Sequence, residues 1–195
     1  EVLAKKKTSK SPEVAYGLEF VSQRRDWAHV LENGREKGRL RLRPIHGDPK
    51  VNNVMIDTGT GQAISIVDLD TVKPGLVHYD IGDCLRSGCN LLGEDAEQWE
   101  MVRFDPELCQ AILQGYLSMA KDFLTDDDYD YLYDAIRLIA FELGLRYLTD
   151  YLEGNVYFKA DHEEHNLARA LIQFKLTESI ESQETTIRAI IQDMR

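Results

Sequence analysis

Three side chains with the means to do chemistry stand close together in the first third of the chain. They are Asp48 in His46-Gly47-Asp48, Asn53 five residues on, and Asp68 at the end of Ala63-Ile64-Ser65-Ile66-Val67. An acid, an amide and a second acid at the ends of short apolar segments, with a turn between them, form the residue set of phosphoryl transfer. In that chemistry one carboxylate accepts the proton of an attacking hydroxyl, while an amide oxygen and another carboxylate hold a magnesium ion against the phosphates. The spacing matters because base and amide must leave one loop together and the second acid must approach from an adjacent strand. A His-Gly-Asp tripeptide alone is only a turn; the order of the three parts carries the reading.

Elements must hold these residues in place. Residues 51–56 and 63–69 flank Asp57-Thr58-Gly59-Thr60-Gly61 and read as a hairpin, since glycine supplies the positive-φ positions of a tight reversal. That hairpin brings Asn53 and Asp68 to one edge. Upstream, Ala15, Leu18, Val21, Ala28 and Leu31 predict a helix over 13–38. Downstream, a breaker-rich stretch with Pro74 and Gly75 leads into a helix near 81–90. Asp105 and Pro106 then open a helix carrying Leu108, Ile112, Leu113 and Leu117. Thr125 and the acids after it precede a long helix over 127–152 that Gly154 stops. Two more helices are expected over 163–181 and 184–194. The fold class is therefore α+β and mainly helical, with residues 1–12 a lysine-bearing linker and 13–195 one helical domain carrying the hairpin.

With 43% hydrophobic residues among 195, a substantial core is available. The surplus of 34 acidic over 23 basic residues, a formal charge of −11, argues against nucleic acid or an anionic membrane as partner. An acidic protein that handles phosphates needs local cations, usually metal. No apolar run approaches the ~18 residues of a membrane span. Cys84, Cys89 and Cys109 lack a paired framework and read as reduced thiols, which places the protein in the cytoplasm.

At this point the residues resemble a known family. His46-Gly47-Asp48-x4-Asn53 with Ile66-Val67-Asp68 is similar to the catalytic loop and metal aspartate of aminoglycoside-phosphotransferase-like kinases, which share the protein-kinase fold and phosphorylate small-molecule hydroxyls. Asp48-Pro49-Lys50-Val51-Asn52-Asn53, Ile66-Val67-Asp68-Leu69-Asp70-Thr71, Tyr79-Asp80-Ile81-Gly82-Asp83, Arg146-Tyr147-Leu148-Thr149-Asp150 and Asn166-Leu167-Ala168-Arg169 look closer still to the N-acetylhexosamine 1-kinases. The resemblance spans 44–181. It implies Asp48 as catalytic base, Asn53 and Asp68 as magnesium ligands, ATP as co-substrate, and an N-acetylhexosamine as acceptor, phosphorylated at its anomeric hydroxyl. Homoserine, choline or an aminoglycoside are the alternative acceptors, and a non-catalytic binding lobe or a metal-dependent phosphoester hydrolase the alternative functions.

Several neighbours take supporting parts in that scheme. His46 is expected to position the loop rather than act as base. Asp70 is expected to cap the turn after Asp68. Asp80 resembles the acid that ties down the catalytic-loop backbone in kinase-like folds. Asp83 and Arg86 read as a local ion pair. Glu142, Arg146 and Asp150 lie four apart on one helix face, and among them Arg146 is expected to touch the sugar through its planar fork of donors, with Tyr157 beside it. His162 and His165 with Glu163 and Glu164 read as a charged solvent face. A kinase of this type also needs a lobe with a strand lysine, its glutamate partner and a glycine-bearing loop. None of these is recognisable here, so the chain is expected to be the carboxy-terminal lobe of a longer polypeptide, inactive alone, whose partner is its own amino-terminal nucleotide lobe.

Overall fold

The computed structural model describes residues 11–195. The lysine run of the expected linker lies outside them, and at its far end the boundary moves: Pro12 already belongs to the first helix. Ser11 caps that helix, α1 (Pro12–Gln23), by accepting from the Val14 amide, with Pro12 in the first turn where its missing N–H costs nothing.

The single helix expected over 13–38 is broken. α1 ends at Arg24, a 3-10 turn spans Arg25–Trp27, and α2 runs Val30–Glu36. Apolar spacing does not register the bend, because Val14, Phe20 and Leu31 face the same core cluster from both sides of it. Arg24 marks the break: its guanidinium lies 3.4 Å over the Phe20 ring and pairs with Glu181 at 2.6 Å.

Two small antiparallel sheets follow. β1 (Arg43–Ile45) pairs with β4 (Lys73–Gly75), and between them β2 (Val54–Ile56) pairs with β3 (Ala63–Ile66). The hairpin is thus as expected in kind but shorter, and it flanks the reactive residues rather than carrying them. Asp48 precedes it, Asn53 ends a 3-10 turn just before β2, and Asp68 lies two residues past β3.

The remainder is helical: α3 (Val77–Gly88), α4 (Pro106–Ala120), α5 (Asp126–Asp130), α6 (Leu132–Glu153), α7 (His165–Ser182) and α8 (Glu184–Asp193). Asp105 caps α4 by accepting from Glu107 N and Leu108 N. The long helix expected over 127–152 is divided at Tyr131: a capping box between Thr125 and Asp128 opens α5, and Tyr131, whose amide donates to the Asp128 and Tyr129 carbonyls, ends it before α6 begins. α6 is the central beam, with α3 on one side and α7 on the other. Tyr133, Ile136, Phe141 and Leu148 of α6 are essentially fully buried, as are Phe174 of α7 and Leu85 of α3. Each such side chain contributes about 1.5–3 kcal/mol through removal from water. Gly144 lets α7 approach α6, since a Cβ there would fall 2.7 Å from the Phe174 ring. Among the described residues no helix is long and apolar enough to cross a membrane.

Candidate active site

The loop between β1 and β2 is tied from below by a helix. Asp80, in the first turn of α3, accepts from the backbone amides of His46 (2.7 Å) and Gly47 (2.9 Å). Charge-assisted bonds of this kind fix a turn that would otherwise strand two amides. Gly47 sits at φ +87°, and a Cβ there would lie 2.7 Å from the Thr71 carbonyl, so only glycine fits. Thr71 Oγ1 donates to the His46 carbonyl at 2.8 Å and closes the loop against β4.

His46 uses both ring nitrogens structurally. Nε2 donates to the Val67 carbonyl at 3.0 Å, which fixes the tautomer and leaves Nδ1 to accept from the Asp48 amide at 3.3 Å. One imidazole therefore links the residue before Asp68 to Asp48. A second link runs from Val67 N to the Asn53 carbonyl at 2.9 Å.

Asp48 is partly open to solvent. Its Oδ2 accepts from Lys50 Nζ at 2.7 Å and from Asn53 Nδ2 at 3.3 Å, while Asn53 Nδ2 also bonds the Asp48 carbonyl at 2.7 Å. Asp48 Oδ1 carries no partner among the described residues. A lysine inside a loop carries no sequence pattern, and only the fold shows the part of Lys50; its hydrogen bond to Asp48, with Asp68 and Glu94 nearby, holds its ammonium pKa above the ordinary lysine value.

The donor set suits a hard divalent cation. With the Asn53 amide nitrogen engaged by Asp48, its carbonyl oxygen is the atom left to offer. Asp68 makes no side-chain hydrogen bond among the described residues and sits at φ 66°, ψ 60°, a left-handed conformation rare outside glycine. Two oxygen donors form an incomplete shell, which matches magnesium held jointly by protein and phosphates. No group of three His, Cys, Asp or Glu side chains among the described residues could hold a metal unaided. Asp70 does not form the expected cap: it lies exposed inside the turn Leu69–Thr71, whose capping position is Asp68, and its side chain makes no hydrogen bond among the described residues.

A pocket of about 630 Å³ opens beside Asp48, lined by α3, α6 and the segment after α6. Arg146 lines it with its guanidinium 5.2 Å and 5.7 Å from the Phe158 and Tyr157 ring centroids. Asp150, four residues on, has a different role. Buried, it accepts from the amides of Val156, Tyr157 and Phe158 at 2.7–3.0 Å and from Asn166 Nδ2 at 2.9 Å, and so holds the aromatic segment in place. Glu142 lines the same pocket, its pKa raised by surrounding protein mass and restrained by Arg146.

The pocket floor holds more than the expected Asp83–Arg86 pair. Arg86 does pair with Asp83 at 2.7 Å, but its NH1 also binds Glu94, carried on the segment between α3 and α4. Burial pushes the Asp83 carboxyl up, opposed by Arg86. Glu94 lies in a stretch without periodicity, and nothing in its sequence surroundings marks it. His165 lies away from this pocket, bonded through Nε2 to Asp95 at 2.9 Å, with His162 stacked on it. A larger hollow of about 890 Å³, between Leu91 and Glu107, shares no lining residue with the pocket beside Asp48.

Residues 9–121, more than half of the chain, match the model of the phosphotransferase enzyme family. The matched stretch includes Asp48, Asn53, Asp68, Asp80 and the Asp83–Arg86–Glu94 floor, and it ends at the close of α4.

Proposed function

The chain belongs to the phosphotransferase enzyme family, and on that premise we propose that it supplies the acceptor and metal half of an ATP- and magnesium-dependent kinase acting on a hydroxyl of a free sugar. The observation that supports this most is Asp48 Oδ1 standing unpartnered at the edge of a pocket, while Oδ2 is held by Lys50 and Asn53. In this reading Asp48 orients the acceptor hydroxyl and takes its proton late, which needs no raised pKa. Asn53 and Asp68 would hold magnesium, whose chemistry is to neutralise charge on the transferring phosphates. Lys50 would share that task at the loop.

The pocket lining favours a neutral acceptor. Four carboxylates (Asp48, Asp83, Glu94, Glu142) face four cations (Lys50, Lys73, Arg86, Arg146), so the surplus of acid in the whole chain is not repeated there. A polycationic aminoglycoside or choline would want an acidic surplus. A pyranose offers hydroxyls to a mixed set of donors and acceptors and an apolar face to Tyr147, Tyr157 and Phe158. An N-acetylhexosamine fits best by motif, with Arg146 and Tyr157 as its contacts.

The nucleotide would seat its base over the hairpin, where Ile56, Ile64 and Ile66 are exposed. A nucleotide lobe of the same polypeptide is the proposed partner for that face. The test is phosphate transfer from MgATP by the full-length polypeptide to a panel of hexosamines, hexoses, homoserine, choline and aminoglycosides. Hexosamine turnover that falls about 10²–10⁴-fold in Asp48→Asn is expected. Turnover that persists in that variant, or that prefers an amino alcohol, sinks the assignment.

A further inference from the structure

Between α3 and α4 the chain makes an excursion that is closed at its base and fastened at its tip. The base is closed by the Asn90–Phe104 bridge and by Asp105 N donating to the Cys89 carbonyl at 3.0 Å. The tip is fastened by Asp95, which pairs with Arg169 at 2.7 Å, and by Glu94, which binds Arg86.

Arg86 is 3% exposed, a buried charge that must be paired. Its Nε and NH2 are taken by Asp83 Oδ1 and its NH1 by Glu94 Oε1. Glu94 spends one oxygen on that contact. The other, Oε2, receives only a long bond of 3.3 Å from Tyr147 OH, and the side chain is 35% exposed on the wall of the pocket that holds Asp48. Asp83 Oδ2 lies below, buried and without a partner among the described residues. The group is thus half spent: Glu94 is neutralised from beneath and retains acceptor capacity towards the pocket.

We propose that Glu94 is an acceptor-binding residue, its Oε2 receiving a hydrogen bond from one hydroxyl of the sugar, with Arg86 the positioning residue that aims it. The inference rests on the sugar-kinase reading above. Its added content is selectivity. Because Arg86 already compensates the charge of Glu94, a neutral hydroxyl gains a strong acceptor, whereas an ammonium in the same place would meet the guanidinium behind it. A site built to bond a hydroxyl rejects an analogue lacking it, since its own polar atom is then left unpaired.

The experiment is a cycle between protein and ligand. Affinities of a hexosamine and its series of monodeoxy analogues are measured by calorimetry for the full-length protein and for Glu94→Gln. In the wild-type protein one deoxy position is expected to weaken binding by about tenfold or more. In Glu94→Gln the penalty at that position collapses while the others keep theirs. A uniform loss across all analogues would mean that Glu94 serves only to pair Arg86, and the proposal would be overturned. If Glu94→Gln does not fold, Glu94→Asp keeps the charge beside Arg86 and withdraws the carboxylate, and the same selective collapse is required of it. If the wild-type protein binds no sugar in the series, the sugar-kinase reading itself falls, an outcome distinct from the uniform loss.

Discussion

His78 shows how a side chain with no part in the site still sets the conditions under which the site exists. It is fully buried in the first turn of α3, its Nε2 donating to the Asp128 carbonyl at 2.9 Å and its Nδ1 without a partner among the described residues. Burial pushes its pKa below the ordinary histidine value; the Asp128 carbonyl and carboxylate pull it up, and Arg43 pushes it down. The unfolded chain therefore takes up a proton near pH 6.5 that the native site refuses, so stability is present above that pH and is lost as the pH falls through it. Thermal melts between pH 7.5 and 5.5 should show a falling midpoint, and His78→Gln, which can still donate to Asp128, should flatten part of that slope. An unchanged slope in the variant would place the titration elsewhere. At this scale the sequence was informative where residues are contiguous. His46, Asp48, Asn53 and Asp68 announce themselves by order, whereas Glu94 reaches the site only through folding, and the cap expected of Asp70 depended on a turn geometry that type and spacing do not specify.

The helices were legible because apolar periodicity reports the buried face, yet the same signal runs unbroken across the bends at Arg24 and Tyr131. Periodicity counts faces and does not see direction. Nor does it see how closely two helices approach. α3 and α6 cross at Gly82, where a Cβ would stand 2.5 Å from Ile139 Cγ1 and 2.7 Å from the Ala135 carbonyl. Gly82→Ala would gain about 1 kcal/mol of helix propensity but force the crossing apart at about 1–3 kcal/mol. Because α3 carries Asp80, Asp83 and Arg86, the displacement would pass to the loop that carries Asp48. We expect a lower melting midpoint together with reduced turnover. Gly115→Ala in α4, where nothing lies within 4 Å of the new Cβ, is the control and should hold or raise the midpoint. Equal behaviour of the two variants would remove the close crossing as the cause.

Across the whole molecule, apolar surface is unevenly distributed. The core is shared among α3, α6 and α7, while Ile64 at 62% and Ile56 at 52% exposure stand out on the hairpin between Asn53 and Asp68. Exposed side chains contribute little to folding, so the double variant Ile64→Thr, Ile66→Thr should melt within about 1 kcal/mol of the wild-type protein. Under the proposed kinase function the same variant should weaken nucleotide binding by about tenfold, the loss of about 1.4 kcal/mol of apolar contact. A stability loss without a change in nucleotide affinity would make the hairpin face structural. The charge of −11 was legible from composition, but its placement was not. Asp126, Asp127 and Asp130 spend theirs on Arg39 and Arg195, far along the chain. Asp150 closes the account of how a surface can be both open and definite. Val156 and Tyr157 are 80% and 75% exposed, yet their amides end on a buried carboxylate. Judged by its side chains the segment belongs to the solvent, and judged by its main chain it belongs to the interior. Residues there can be exchanged for a different taste in ligands without loosening the frame that presents them.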